Sequence, residues 1–142
     1  MLFVKLRPWL YQGNANDSTN LPALQKHNIG AILQFAVDAK HPGINTLYLP
    51  FNDGYAIPSN YIQQGVEFAL AHRDQNVLVG CLVGISRSTT FSAAILKASE
   101  GISLHDALYE IRSKHSYARP NARVWRSMCQ FYGEPFNVKD LE

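Results

Sequence analysis

The stretch Val77-Leu78-Val79-Gly80-Cys81-Leu82-Val83-Gly84-Ile85-Ser86-Arg87-Ser88 decides the fold. Its first residues form an apolar run short enough for a strand buried on both faces. The strand delivers a cysteine into a short loop, and an arginine follows six positions later, where a helix begins. Gly84 falls mid-loop, where converging N–H groups demand a backbone angle that glycine adopts freely. Ser86 and Ser88 flank the arginine, and small hydroxyls suit a helix entry. From Ser88 to Lys97, the residues Phe91, Ile95 and Leu96 share one side of that helix. A loop of this size can wrap its N–H groups around one tetrahedral oxyanion. The helix aims the positive end of its dipole at the same spot. A cysteine held there is favoured as its thiolate. Anion cradle and nucleophilic sulfur together point to phosphoester chemistry through a cysteinyl-phosphate.

Outward from this stretch, strand-like and helix-like segments alternate. Leu2 to Leu6 and Trp9 to Tyr11 read as edge strands broken by Pro8. Asn16-Asp17-Ser18 offers a cap for a first helix, with Leu21, Leu24 and Ile29 as its apolar face. Ala31 to Val37 and Asn45 to Leu49 read as strands, and Asn76 to Gly80 as the central one. Helices are expected over Ser59 to Arg73, Arg87 to Ser99, Ser103 to Lys114 and Asn121 to Tyr132. The alternation predicts an α/β fold with a central, mostly parallel sheet of about five strands flanked by helices. In such sheets the ligand crevice lies at the carboxyl ends of the strands. Cys81 falls at one such end, and Asp38 and Asp53 at two others. Residues 1–142 read as one domain, with no repeat and no low-complexity tract.

Composition narrows the function. The chain has 142 residues, 46% hydrophobic and 17% charged, which suits an ordinary globule with one core. A formal net charge of +2, with the basic residues scattered, gives no case for a nucleic-acid partner. No stretch approaches the roughly 20 apolar residues that span a bilayer, so no membrane is expected. The segment Met1 to Arg7 reaches charge too quickly for a signal peptide. The two cysteines, Cys81 and Cys129, do not make a disulfide framework, and Cys129 reads as a buried core thiol. A free nucleophilic thiol needs a reducing compartment, so the cytoplasm is expected. His27, His41, His72, His105 and His115 show no metal-ligand spacing and read as surface or partly buried structural residues. No metal and no cofactor are expected.

The run Gly84-x-Ser86-Arg87-Ser88 after Cys81 resembles the signature loop of the dual-specificity protein phosphatases, within the cysteine-dependent protein tyrosine phosphatases. Further matches occur in order along nearly the whole chain. Trp9-Leu10-Tyr11-Gln12-Gly13 resembles the family's opening strand and turn. Asn28 to Gln34 is similar to its second core strand, and Leu49-Pro50-Phe51-Asn52-Asp53 to its general-acid loop. Pro120-Asn121, opening a late helix, resembles another recurrent feature. One position departs. The family usually carries a histidine before the cysteine, which helps order the loop, and Gly80 stands there. The resemblance implies a protein-tyrosine-phosphatase-like fold.

Roles follow from residues and resemblance together. Cys81 is the expected nucleophile. The N–H groups of Leu82, Val83, Gly84, Ile85, Ser86 and Arg87 are expected to bind the nonbridging oxygens. The Arg87 guanidinium adds a bidentate clamp that a lysine could not reproduce. A proton donor must stand near the leaving oxygen. Asp53 follows a strand, precedes Gly54 in an adjustable run, and matches the family's acid. Asp38 is the topological alternative, better explained as a polar residue opening a turn. Asp17 fits helix capping, and Asp74 and Asp106 fit surface charge. The resemblance implies that Ser88 donates a hydrogen bond to the departing thiolate. Asn121 serves as a brace for the loop or as a plain helix cap. Lys114, His115 and Arg119 fit a solvated turn, or contacts to a second phosphate or acidic peptide. Tyr55 reads as an ordinary loop residue or a flank for a phosphotyrosine ring.

The expected partner is a phosphorylated protein or peptide, with phosphate, sulfate or vanadate binding the loop. The loop interior carries no lysine, whereas phosphoinositide phosphatases of the resembled superfamily commonly have lysines there, so the resemblance weighs against a highly charged lipid headgroup. Three competing readings remain at this level: a phosphoprotein-binding pseudophosphatase suggested by Gly80, a phosphatase of small non-protein phosphoesters, and sulfur transfer of the rhodanese kind.

Overall fold

The computed structural model describes residues 3–142. Strands β1 (Val4–Arg7), β2 (Leu10–Gly13), β3 (Ala31–Gln34), β4 (Asn45–Tyr48) and β5 (Val77–Gly80) form one sheet in the order β1-β2-β5-β3-β4. Among the described residues only the β1–β2 pair is antiparallel; β5 lies parallel to β2 on one side and to β3 on the other. Every residue of β2, β3 and β5 is buried, as the near-continuous apolar runs of central parallel strands predict. Alternation splits their side chains between two layers. Leu10, Ala31, Leu33, Val77 and Val79 join the larger core. Tyr11, Ile32 and Leu78 join a smaller one with Leu24 and Ile29.

The larger layer is built from four helices, α3 (Ser59–Ala71), α4 (Arg87–Glu100), α5 (Leu104–Lys114) and α6 (Ala122–Tyr132). Helix α4 is central, and all ten residues from Arg87 to Leu96 are buried. It stops at Gly101, which takes the left-handed conformation that only glycine enters freely. Ser103 caps α5 by accepting from the Asp106 N–H at 3.0 Å. Asn121 caps α6 through its side-chain oxygen, which accepts from the Arg123 N–H at 2.9 Å.

Four local expectations need correction. The first helix is two: α1 (Ala15–Thr19) and α2 (Leu21–Lys26). Asn20 ends the first and caps the second, and Pro22 fits the first turn of a new helix. Asn14, rather than Asn16, opens α1, in a capping box completed by the Asp17 side chain. Strand β2 is no edge strand, because it sits between β1 and β5. Strand β3 stops at Gln34 rather than Val37. Its side-chain amide donates to the Ala39 carbonyl at 2.8 Å and accepts from the Ala39 N–H at 3.2 Å, turning the chain out of the sheet. The strand expected from Leu2 is described from Val4 onward; Leu2 lies outside the described residues.

Candidate active site

The loop 81–86 joins the carboxyl end of β5 to the start of α4, in the middle of the sheet. Its conformation is fixed from behind, carbonyl by carbonyl. The Leu82 carbonyl accepts from the Ala15 N–H at 3.3 Å, Ile85 from the Arg119 N–H at 2.7 Å, and Ser86 from the Thr90 N–H at 2.9 Å. The Gly84 carbonyl accepts from Gln12 Nε2 at 3.0 Å and from His115 Nε2 at 2.9 Å. In a trans peptide the N–H points opposite to the preceding carbonyl. Carbonyls tied outward therefore turn successive N–H groups inward. Among the described residues, the N–H groups of Leu82, Val83, Ile85 and Ser86 have no protein acceptor. Gly84 makes the closure possible. Its φ is +86°, and a Cβ there would stand 2.9 Å from the Gly13 carbonyl oxygen.

Cys81 sits at the base of this bowl, 3% exposed. Its sulfur accepts from the Gly84 N–H at 3.2 Å and stands 3.2 Å from the Ser88 hydroxyl. Arg87, 8% exposed, reaches across and donates from Nη1 to the Phe51 carbonyl at 2.7 Å. Its Nε is buried with no partner among the described residues. A buried, unpaired guanidinium donor is costly unless something anionic completes it. The side chains of Leu82 and Val83 point outward, 58% and 61% exposed, so only their backbone serves the bowl.

Asp53 is brought to the same place from 33 residues away. Its Oδ1 accepts from the Ser86 hydroxyl at 2.6 Å. That hydroxyl in turn accepts from the Asn121 N–H at 2.9 Å. Ser86 thus stands at the helix entry without capping it by its side chain, contrary to expectation; the hydroxyl bridges the acid loop and α6 instead. Asn121 is both cap and brace. The Ser86–Asp53 and Arg87–Phe51 bonds together latch the run Phe51–Asp53 over the loop. A cleft of about 300 Å³ opens between them, lined by Asp53, Cys81, Leu82, Val83, Ile85, Ser86, Arg87, Arg119, Pro120 and Asn121. A neighbouring hollow of about 330 Å³ shares Arg119 but contains neither the cysteine nor the loop backbone.

The other candidates fall elsewhere. Asp38 is exposed, lies 3.9 Å from Lys40 Nζ, and does not line the cleft. Tyr55 is exposed and also stands outside the lining. Asp74 and Asp106 are exposed. Cys129 is buried in the core, and burial pushes its thiol up to about 11, as fits an inert cysteine. Two residues were not legible as loop supports. His115 fits no solvated turn: it is 7% exposed and bound to the Gly84 carbonyl. Gln12 is wholly buried in β2, also donating to Thr89 Oγ1 at 2.7 Å. The available signal was a long polar side chain inside an otherwise apolar strand.

Comparison with known proteins gives one family. The model of the dual specificity phosphatase catalytic domain matches residues 10–134. Human dual specificity protein phosphatase 7 is 34% identical over 136 residues, which is 90% of this chain and 32% of that protein. The chain thus spans about a third of the length of that relative. Dual specificity protein phosphatase 22 of Xenopus tropicalis is 30% identical over 161 residues, covering 96% of this chain and 75% of the relative. Among solved structures, DUSP15 superposes with a TM-score of 0.85 at 28% identity, covering 91% of this chain and 86% of that one. With a catalytic-domain match over most of its length and the five-stranded sheet to go with it, the chain belongs to the dual specificity phosphatase family.

Proposed function

We propose that residues 1–142 act as a single phosphatase catalytic domain. It hydrolyses phosphotyrosine, and phosphoserine or phosphothreonine, monoesters of proteins through a cysteinyl-phosphate. The observation that carries this reading is the position of the Cys81 sulfur. It lies at the floor of a loop in which, among the described residues, the N–H groups of Leu82, Val83, Ile85 and Ser86 have no acceptor, beside a buried guanidinium Nε that also lacks one.

A phosphoryl group seated in the bowl takes its nonbridging oxygens onto the N–H groups of residues 82–87 and onto Arg87. These donors are fixed before substrate arrives, so no reorganisation opposes charge development at phosphorus. The Cys81 sulfur forms a bond to phosphorus as the bond to the leaving oxygen breaks. Asp53 gives that oxygen a proton, which matters most for poor leaving groups. Water then attacks phosphorus, the phosphorus–sulfur bond breaks, and Asp53 takes back a proton. Ser88 donates its hydroxyl hydrogen to the returning thiolate. Leu82 and Val83 at the rim meet the apolar part of the substrate.

The test is turnover of an aryl phosphate and of a panel of phosphopeptides, phosphoinositides and nucleotides, with Cys81→Ser as the control. Peptide hydrolysis lost in that variant supports the reading. Tight phosphopeptide binding without turnover would instead indicate a binding module. Turnover of thiosulfate alone would indicate sulfur transfer.

A further inference from the structure

Gly80 carries no side chain, so position 80 adds no side-chain brace on the α1 side, where the nearest atoms to a Cβ would be Ser18 Cβ at 3.7 Å and the Asn14 carbonyl at 3.8 Å, and where the Ala15 N–H holds the Leu82 carbonyl at 3.3 Å. The middle of the loop, at Gly84, is held from the opposite face of the sheet. Gln12 belongs to β2 and follows Leu10 by two residues, so it points into the layer of α4. His115 closes the end of α5. Both reach one atom, the Gly84 carbonyl oxygen, from 72 and 31 residues away.

A carbonyl can only accept, so His115 must carry a hydrogen on Nε2 and Gln12 must present its NH₂ group. Gln12 does so at a cost, because its own Oε1 is buried without a partner among the described residues. A leucine or methionine would fill the same space without that loss. The polar side chain is therefore better explained by what it holds than by packing. The Gly84–Ile85 peptide is trans. With its oxygen pinned outward by two donors, its N–H must face the bowl.

We propose that Gln12 and His115 are positioning residues. Together they lock the Gly84–Ile85 peptide so that the Ile85 N–H is aimed at a bound phosphoryl group. In this chain they order the middle of a loop to which position 80 contributes no side chain. The proposal rests on the phosphatase reading for its kinetic consequences, but the orientation of the peptide can be read without turnover. Either donor alone keeps the carbonyl outward in part, so the two act redundantly. Releasing both lets the peptide rotate and presents an oxygen, rather than an N–H, to the anion.

The experiment compares wild type with Gln12→Met, His115→Leu and the double variant, and adds His115→Gln as the conservative replacement. Three quantities are followed: kcat/KM for an aryl phosphate, the inhibition constant of orthovanadate, and the ¹⁵N–¹H resonance of Ile85 during titration with inorganic phosphate. Each single loss is expected to weaken vanadate binding and kcat/KM together by about 3–10-fold. The double variant should lose more than the product of the two, on the order of 10²–10³-fold, as for a lost oxyanion donor. His115→Gln should recover most of the single loss. The Ile85 resonance should move on phosphate addition in wild type and stay still in the double variant. Variants that lower the melting temperature but leave the vanadate constant and the Ile85 response unchanged would overturn the proposal. If wild type turned over no phosphoester, the phosphatase reading would fail, and the Ile85 response to phosphate would still decide the positioning role.

Discussion

Gly80 and Gly84 lie four residues apart, and the same substitution should act on them in opposite directions. At Gly80 the backbone is ordinary strand, outside the left-handed region, and a Cβ meets its nearest neighbours at 3.7, 3.8 and 4.0 Å. These are normal contacts. Gly80→Ala therefore chiefly restricts the unfolded chain, a gain of about 0.4–1 kcal/mol. At Gly84 the φ of +86° alone costs an alanine roughly 1–3 kcal/mol. Its Cβ would also stand 2.9 Å from the Gly13 carbonyl oxygen and 3.0 Å from the carbonyl carbon, both backbone atoms that cannot swing aside. The loop would have to lift off β2. At about 2–4 °C per kcal/mol for a chain near this size, Gly80→Ala should raise Tm by roughly 1–4 °C. Gly84→Ala should lower it by at least about 4 °C. Activity should separate the two further. Lifting the loop displaces the N–H groups that face the cleft, so kcat/KM should fall at least about 100-fold in Gly84→Ala and stay within about threefold in Gly80→Ala. Differential scanning calorimetry and hydrolysis of an aryl phosphate make the measurement. Equal Tm values and equal activity in the two variants would refute the account of how the loop closes.

Further outcomes are expected. Asp53→Asn should cost about 10²–10⁴-fold in kcat for a phosphotyrosyl peptide and far less for an ester with a strongly acidic leaving phenol; Asp38→Asn should change neither, and the reverse pattern would reassign the acid. Cys129, with burial pushing its thiol up to about 11, should resist iodoacetamide at pH 8 in the native protein while Cys81 reacts, as peptide mass mapping would record. Glu110 is held below the usual carboxylate range by its hydrogen bond to Arg7, so the folded state binds its proton less readily than the unfolded chain. The stability this contributes is present above about pH 4.5 and is lost as pH falls below it. Glu110→Gln should thus lower Tm at pH 7 and matter progressively less in acid, a trend that melting curves from pH 7 to pH 3 would follow.

The parts that sequence made legible are those whose signals are local. Strand β5, the loop and α4 are contiguous, so the apolar run, Gly84 and the helical spacing after Ser88 announce them together. The meeting of Asp53 with the loop also followed from topology, since parallel strands put their carboxyl ends on one edge. Non-local contacts were the hidden part. Ser86 reads as a cap because it stands before a helix, yet its hydroxyl is taken by Asp53 and Asn121. The carbonyl anchors are of the same kind. Arg119, Gln12 and His115 come from distant segments; Arg119 and His115 read as a solvated turn and Gln12 as part of the opening strand and turn until the fold brings them against the back of the loop. The division of the first helix is hidden in the sequence because Asn20 serves two helices at once, ending α1 while capping α2.

The central claim is that the Cys81 sulfur takes the phosphoryl group. The direct measurement is rapid mixing of the protein with an aryl phosphate, denaturation at alkaline pH within the first turnover, and peptide mass spectrometry. The account predicts one added phosphoryl group on the peptide containing Cys81, formed in a burst with release of the phenol and absent in Cys81→Ser. Turnover that persists in Cys81→Ser, or a phosphoryl group found on another residue, would contradict it.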